Sequence, residues 1–196
     1  MVPLLPYYHS TLIEAGCDEA GIGAAAGPIV VAAVIFDKKY KNESIKDSKV
    51  LSERKRTTIA NQIKDDAIAW SVAFASNELI DTINPFNASY IAYEEAISTL
   101  SHCPQLLLVD GNRFKAQNYR QHICIVRGDQ KYLSIAAASI LAKTTRDEYM
   151  KEKANLFPQY HWDQNKGYLT KKHISTIRSF GFSPLHRQSY KIKALS

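Results

Sequence analysis

Cysteine is scarce in this chain. Its 196 residues include three cysteines, Cys17, Cys103 and Cys124, an odd number with no CxxC spacing, which argues against both a disulfide framework and a thiolate zinc site. None of His102, His122, His161, His173 and His186 stands four residues from another, so a helical zinc pair is also missing. Long apolar runs are absent: no stretch can span a bilayer, and no charged n-region leads into an apolar segment. The expectation is a cytoplasmic protein with reduced thiols and no membrane attachment. No repeat, low-complexity tract or Gly/Ser/Pro-rich linker divides the sequence, so one domain over residues 1–196 is expected, large enough for a real core. The segment GIGAAAGP matches neither the P-loop pattern nor a full GxGxxG, because the third glycine position falls on Ala26. Nucleotide binding by either loop is therefore excluded.

What is present is a set of four acids in unusual places. Asp18 and Glu19 (GCDEAG), Asp110 (LLLVDGN) and Asp129 (CIVRGDQ) each lie at or just after the end of a short apolar run. A carboxylate that becomes buried there loses its hydration without compensation unless it is paired. Taken singly, each has a plain reading as a turn or a helix cap. Together they suggest oxygen ligands gathered for a hard cation, Mg²⁺ or Mn²⁺. Adjacent residues of an extended strand point to opposite faces, so Asp18 and Glu19 converge only if the chain bends, and Gly16, Gly21 and Gly23 supply freedom for a bend. The net charge is +6, and it is unevenly spread: residues 131–196 hold 12 Lys or Arg against 4 Asp or Glu. An acidic front and a basic back suit a metal site beside a surface that tracks phosphates, although a solvated basic tail fits the charge count equally well.

Periodicity places these acids in an α/β framework. Apolar runs over residues 12–17, 29–36, 68–75, 106–109 and 123–126 read as strands. Helices are expected over 52–65, with Ser52 as N-cap, and over 86–100, where Ala88, Ile91, Ala92, Ala96 and Leu100 share a face. A long Ala-rich helix is expected over 134–157, ended by Pro158, and another after Thr170, closed by Gly181. Strands early and alternating elements later indicate a sheet with helices on its faces.

In order and spacing, the segments GCDEAGIGAAAGPIVVAAVIF, DSKVLSERKR, INPFNASYIAYEEA, LLLVDGNRF, VRGDQKYLSIAAASILAKTTRD, FPQYHWDQNKGYLTKKH and HRQSY resemble the type 2 ribonuclease H family, bacterial ribonuclease HII. The resemblance runs from about Ile13 to Tyr190. It implies a ribonuclease H-like fold: a mixed five-stranded sheet flanked by helices, with a C-terminal helical part over about 170–196. It also implies hydrolysis of the RNA strand of RNA–DNA hybrids and incision 5′ of single ribonucleotides in duplex DNA. The family's acids fall on Asp18, Glu19, Asp110 and Asp129, which are then both catalytic and metal ligands. One ion is expected without substrate and two with it, one activating water and the other stabilising the leaving 3′ oxyanion. Tyr168 of NKGY matches the tyrosine that stacks on the sugar past the RNA–DNA junction. Lys49, Lys143 and Arg146 match segments near the nucleic-acid backbone, and Gly21, Ile22 and Gly23 match a tripeptide whose backbone reads 2′-hydroxyls. That tripeptide is usually Gly-Arg-Gly, so the side chain at position 22 departs from the family. The implied partners are hybrid and ribonucleotide-containing duplexes, bound by a monomer. Two alternatives remain at this point. One is a non-catalytic hybrid binder on the same scaffold; the other is a type 3 enzyme without junction preference, against which the short segment before Asp18 and the aspartate at position 129 both argue.

Overall fold

The apolar runs assemble into one sheet. The computed structural model describes residues 3–115 and 121–193. Its strands are β1 (Glu14–Ala20), β2 (Ile29–Ile35), β3 (Ala69–Ala75), β4 (Leu106–Asp110) and β5 (His122–Ile125), in the spatial order β3-β2-β1-β4-β5. β2 pairs antiparallel with both β1 and β3, while β4 pairs parallel with both β1 and β5. The sheet is thus mixed and five-stranded, as the resemblance implies. Every residue of β2 is buried, as expected for a strand covered on both faces.

Among the described residues there are six α-helices, α1 (Glu53–Asp66), α2 (Asn77–Ile83), α3 (Pro85–Ser98), α4 (Leu133–Leu156), α5 (Trp162–Asn165) and α6 (Lys171–Phe180), of which α1, α3 and α4 build the cores on the two sheet faces. Side chains alternate along each strand, so the sheet sorts its residues into two cores. Cys17, Val31, Ala33, Ala73 and Val109 pack against Ala88, Ala92, Tyr93 and Ala96 of α3. On the other face Ala32 and Val34 meet Ile59 and Ile63 of α1 together with Ala137, Ile140 and Leu141 of α4. Small residues let α4 approach the sheet very closely. A Cβ on Gly16 would lie 2.2 Å from the backbone carbon of Ser134 and 2.4 Å from the nitrogen of Ile135, so helix backbone rests directly on strand backbone.

The expected helix signals hold where they were specific. Ser52 caps α1 by accepting the Lys55 N–H, and Gly181 ends α6 with φ of 74°. Three details differ. β1 begins at Glu14 and continues through both acids to Ala20 because β2 pairs with it as far as Ala20. α2 was not expected; its seven residues are too few to show a period, and its one local mark is Ser76, which accepts the Leu79 N–H. Of residues 170–193 only Lys171–Phe180 are helical. Beyond Gly181 the chain folds back onto the turn after β1, with the Gly27 N–H donating to Leu185 at 2.8 Å and the Arg187 N–H donating to Ala25 at 2.9 Å. Residues 194–196 of the expected helical part lie outside the described residues.

The contact at Gly16 has a direct test. Gly16→Ala forces strand and helix apart and is expected to cost about 1–3 kcal/mol as overpacking, lowering the melting temperature by roughly 2–4 °C per kcal/mol. Thermal unfolding of the variant beside the wild type measures it.

Candidate metal centre and nucleic-acid interface

The four acids gather around the end of the sheet where β1 and β4 run parallel. Asp18 pairs across the ladder with Ala32 and Glu19 with Val31, so both stand inside regular strand, and the bend their convergence was expected to need is absent. They accordingly leave β1 on opposite faces. Asp18 turns toward α4, where the Ser139 hydroxyl works against the rise of its carboxyl pKa, while Glu19 turns toward α3 and accepts the Tyr93 hydroxyl. Asp110 closes β4, and its Oδ1 accepts the Gly128 N–H at 2.6 Å. That bond brings in the short 3₁₀ turn Gly128–Gln130, which carries Asp129. Asp18, Glu19 and Asp110 line one cleft of about 330 Å³, together with Lys49, Lys143 and Tyr168. Asp129 is buried beside it, with the Lys49 ammonium 3.5 Å from its Oδ2.

This arrangement crowds negative charge. Burial pushes the Asp18 carboxyl well above the usual carboxylate range, and Glu19 and Asp110 push it further. Burial likewise raises Glu19, against the Tyr93 bond, and raises Asp129, with Asp110 adding to the effect. Lys49 answers only part of this charge; although burial works against it, Asp129 and Asp47 hold its ammonium above the ordinary value. Such a set is satisfied by a divalent cation, and its donors are all oxygens, which suits Mg²⁺ or Mn²⁺. Among the described residues no three His, Cys, Asp or Glu side chains are drawn together closely enough to hold a metal ion by themselves, so the acids form an open set. The opposite departure of Asp18 and Glu19 from β1 accounts for that openness. An open set fits magnesium-like ions, which keep waters and take one or two carboxylates plus substrate phosphate oxygens.

The expected nucleic-acid contacts divide. Lys49 is largely exposed at the mouth of the cleft, with its side chain 76% accessible. Lys143 also lines the cleft and bonds Asp147 at 2.6 Å, while Asp147 bonds Arg56 at 2.9 Å. Arg146, expected at the backbone of a bound duplex, is instead fully buried. Its Nε, Nη1 and Nη2 donate to the carbonyls of Pro28, Lys166 and Ala26 at 2.9, 2.9 and 3.0 Å. It cannot reach a phosphate, and its guanidinium sits 5.3 Å beneath the Tyr168 ring. The Lys143 ammonium approaches the same ring at 6.0 Å, so two cations of α4 stand near the tyrosine.

The turn after β1 closes with the Ala24 N–H donating to Gly21 at 3.2 Å, and Gly21 has φ of 98°. A Cβ there would meet Arg146 Nε at 2.1 Å, so the glycine is required both by its conformation and by space. The Ile22 carbonyl accepts from Arg187 Nη1 at 2.7 Å and the Tyr190 hydroxyl at 2.6 Å. The Ile22 side chain packs against the core on the α3 face. Among the described residues no protein acceptor meets the N–H groups of Ile22 and Gly23, and a Cβ on Gly23 would meet nothing within 4 Å. Gly23 is exposed, two residues from Gly21, which lines the cleft.

The sequence reading missed Ser48, Ser139 and Tyr93. Ser48 and Ser139 bond each other at 3.0 Å beneath the acids. A serine inside the apolar run SIAAASILA, and a tyrosine on the same helical face as Ala92 and Ala96, were the available signals, since a buried hydroxyl needs a partner.

Comparisons with known proteins agree with this geometry. The sequence model of the family described as Ribonuclease HII matches residues 15–193. The ribonuclease HII of Bacteroides fragilis is 51% identical over 189 residues, covering 96% of this chain and 94% of the relative. Among solved structures, the ribonuclease H2 of Pyrococcus horikoshii aligns with a TM-score of 0.78 at 23% identity, over 91% of this chain and 93% of that one. Bst-RNase HIII, solved with Mn²⁺, aligns with a TM-score of 0.69 at 20% identity, over 95% of this chain but 70% of that one. The two structural likenesses establish the fold, and the sequence match distinguishes type 2 from type 3. The chain therefore belongs to the ribonuclease HII family, whose members are metal-dependent endoribonucleases.

Proposed function

We propose that this ribonuclease H cuts the RNA strand of RNA–DNA hybrids at Asp18, Glu19, Asp110 and Asp129, and that it also incises 5′ of a single ribonucleotide in duplex DNA. The observation that carries the assignment of the site is the buried Asp18 carboxylate, faced by Glu19 and Asp110 across a cleft open to solvent. Mg²⁺ or Mn²⁺ is the expected ion, and the Mn²⁺ held by Bst-RNase HIII supports that choice. Asp18, Glu19 and Asp110 are the principal ligands, with Asp129 completing a second site once substrate contributes a phosphate oxygen. When bound, two such ions supply an acidified water and a counter-charge for the leaving 3′ oxygen.

The remaining work falls to the chain itself. Ser139 and Tyr93 orient Asp18 and Glu19 from opposite faces of β1. The free N–H groups at Ile22 and Gly23 are placed to donate to a 2′-hydroxyl, which only the ribose on the 5′ side of the junction offers. The Tyr168 ring presents an apolar face to the next sugar, where an added hydroxyl loses its hydration without gaining a partner. Ile22 does not impair this reading, because its contribution is a backbone donor while its side chain packs inward.

Outcomes are expected for variants at five residues. Asp18→Asn and Asp110→Asn lower hybrid cleavage in Mg²⁺ by at least about a hundredfold, because each removes a charged ligand worth several kcal/mol to the transition state. Hybrid retention on a gel stays near wild type. The Asp18→Asn protein also melts higher than wild type in chelator, since a like-charge clash is gone, and its melting temperature responds less to added Mn²⁺. Near wild-type cleavage by either variant moves the site elsewhere. Tyr168→Ala reduces cutting at a single ribonucleotide far more than cutting of a continuous hybrid; equal losses on both substrates remove its junction role. In a salt titration of hybrid binding, Lys143→Ala flattens the slope by about 0.7–0.9, the value of one phosphate contact. Arg146→Ala acts differently, because it strands three buried carbonyls. It is expected to destabilise the fold by roughly 3 kcal/mol or more, seen as a lowered melting temperature.

A further inference from the structure

Beneath Tyr168 lies a buried pair of imidazoles that the proposed chemistry does not use. His173 and His186 are 0% and 1% exposed, and their Nε2 atoms stand 3.1 Å apart. The surrounding partners fix where their protons lie. The Ser183 N–H donates to His186 Nδ1 at 2.9 Å, so that nitrogen carries no proton and the His186 proton sits on Nε2. That proton points at His173 Nε2, which also accepts the Trp162 indole N–H at 3.2 Å. His173 Nε2 is therefore an acceptor, and its ring proton lies on Nδ1, 3.0 Å from the Tyr168 carbonyl. Both rings are neutral, and burial holds both below the ordinary histidine value. Every bond in this chain has one direction, from Ser183 through His186 and His173 to Tyr168.

The carbonyls just before Tyr168 are held from outside, Lys166 by Arg146 Nη1 at 2.9 Å and Gly167 by the Ala25 and Ala26 N–H groups at 2.9 and 3.3 Å, while His173 holds the carbonyl of Tyr168 itself. The Tyr168 N–H donates to Asn165 at 2.9 Å and its carbonyl also accepts the Thr170 N–H at 2.9 Å. Both partners are local, Asn165 ending α5 and Thr170 preceding α6, and the connection between them includes Lys166 at φ of 51° and Gly167 at φ of 82°. His173 is the contact that ties this connection, through His186, to the returning C-terminal segment. The tyrosine ring itself is 38% exposed, so its pose over the cleft depends on how its backbone is held.

We propose that His173 is a positioning residue for Tyr168: its Nδ1–H, oriented by His186 and Trp162, fixes the tyrosine carbonyl and thereby sets the discrimination between ribose and deoxyribose past the junction. The specificity part rests on the junction role assigned to Tyr168 above; the positioning part does not. A neutral His173 in the other tautomer presents no donor to Tyr168, so His186 matters through the direction of its bond.

The chemistry of the two ring nitrogens provides the test. In His173→Asn the amide NH₂ can occupy the place of Nδ1 and keep the donor to Tyr168, whereas in His173→Gln it reaches the place of Nε2 and leaves the carbonyl with one partner fewer. Both variants, the wild type and Tyr168→Ala are compared by kcat and KM on a duplex with one ribonucleotide and on a continuous hybrid. Amide hydrogen exchange over residues 166–172 and melting temperatures are measured on the same proteins. The expected result is that His173→Gln lowers the ratio of single-ribonucleotide to hybrid cutting by about tenfold, the scale of one lost hydrogen bond, and speeds exchange in that segment. His173→Asn retains both properties near wild type at a similar melting temperature. Asn and Gln variants that behave alike in cleavage ratio and in exchange overturn the proposal. An unchanged ratio in Tyr168→Ala overturns the junction reading and the specificity role of His173 with it, and the exchange comparison then decides the positioning role alone.

Discussion

The close crossing of α4 over β1 is the constraint on which the site depends. Backbone meets backbone at Gly16 and Ser134, and five residues further along the helix Ser139 reaches the carboxylate two residues further along the strand. A larger side chain at Gly16 or a bulkier helix surface would lift α4, and Asp18 would lose its orienting hydroxyl. The run of alanines in α4 thus shapes the acidic cleft although none of them lines it. The same helix carries Lys143 to the cleft and Arg146 to the turn after β1, so one element sets the positions of acid, cation and turn together.

Charge at the site is arranged against stability. Asp18 is buried among like charges, and the fold tolerates it because the two sheet cores are large and apolar. Such unfavourable clusters are commonly where binding of a counter-ion is strongest. Lys49 stands 3.5 Å from Asp129 Oδ2, but the buried cations nearby are not directed at the acids. Arg146 and Arg187 are directed at backbone carbonyls, Arg56 at Asp147 and the loop carbonyls of Ser48 and Leu51. Buried guanidinium groups here organise loops, and the residual negative field is left to the cleft.

Much of this was legible in the sequence, for identifiable reasons. The strands were readable because β-branched and apolar runs of the right length were bounded by turn residues, and α1 and α6 because Ser52 and Gly181 are strong local signals. The acids stood out because carboxylates so close to apolar runs carry an energetic cost. The absent bend at Asp18 and Glu19 was not legible, since strand pairing with β2 is a tertiary effect that continues past the apolar stretch. Arg146 was misread for a related reason. A basic residue three positions from Lys143 on a helix looks like a second surface contact, and only the packing of the turn after β1 and the α5–α6 connection against that face buries it. The His173–His186 pair joins residues from α6 and the irregular segment beyond it, a contact that no local spacing announces.

The tether on the turn after β1 bears on how the protein is made. The Ile22 carbonyl is held by Arg187 and Tyr190, partners 165 and 168 positions away along the chain. Chains emerge from the ribosome N-terminus first, so a nascent polypeptide complete through α4 already has all four acids and the sheet that carries them, yet lacks these two anchors. These bonds to the turn beside the cleft form only once Arg187 and Tyr190 have appeared. A chain that has emerged only as far as α4 therefore presents its acids before the turn beside them is anchored, and translation orders the two events in time.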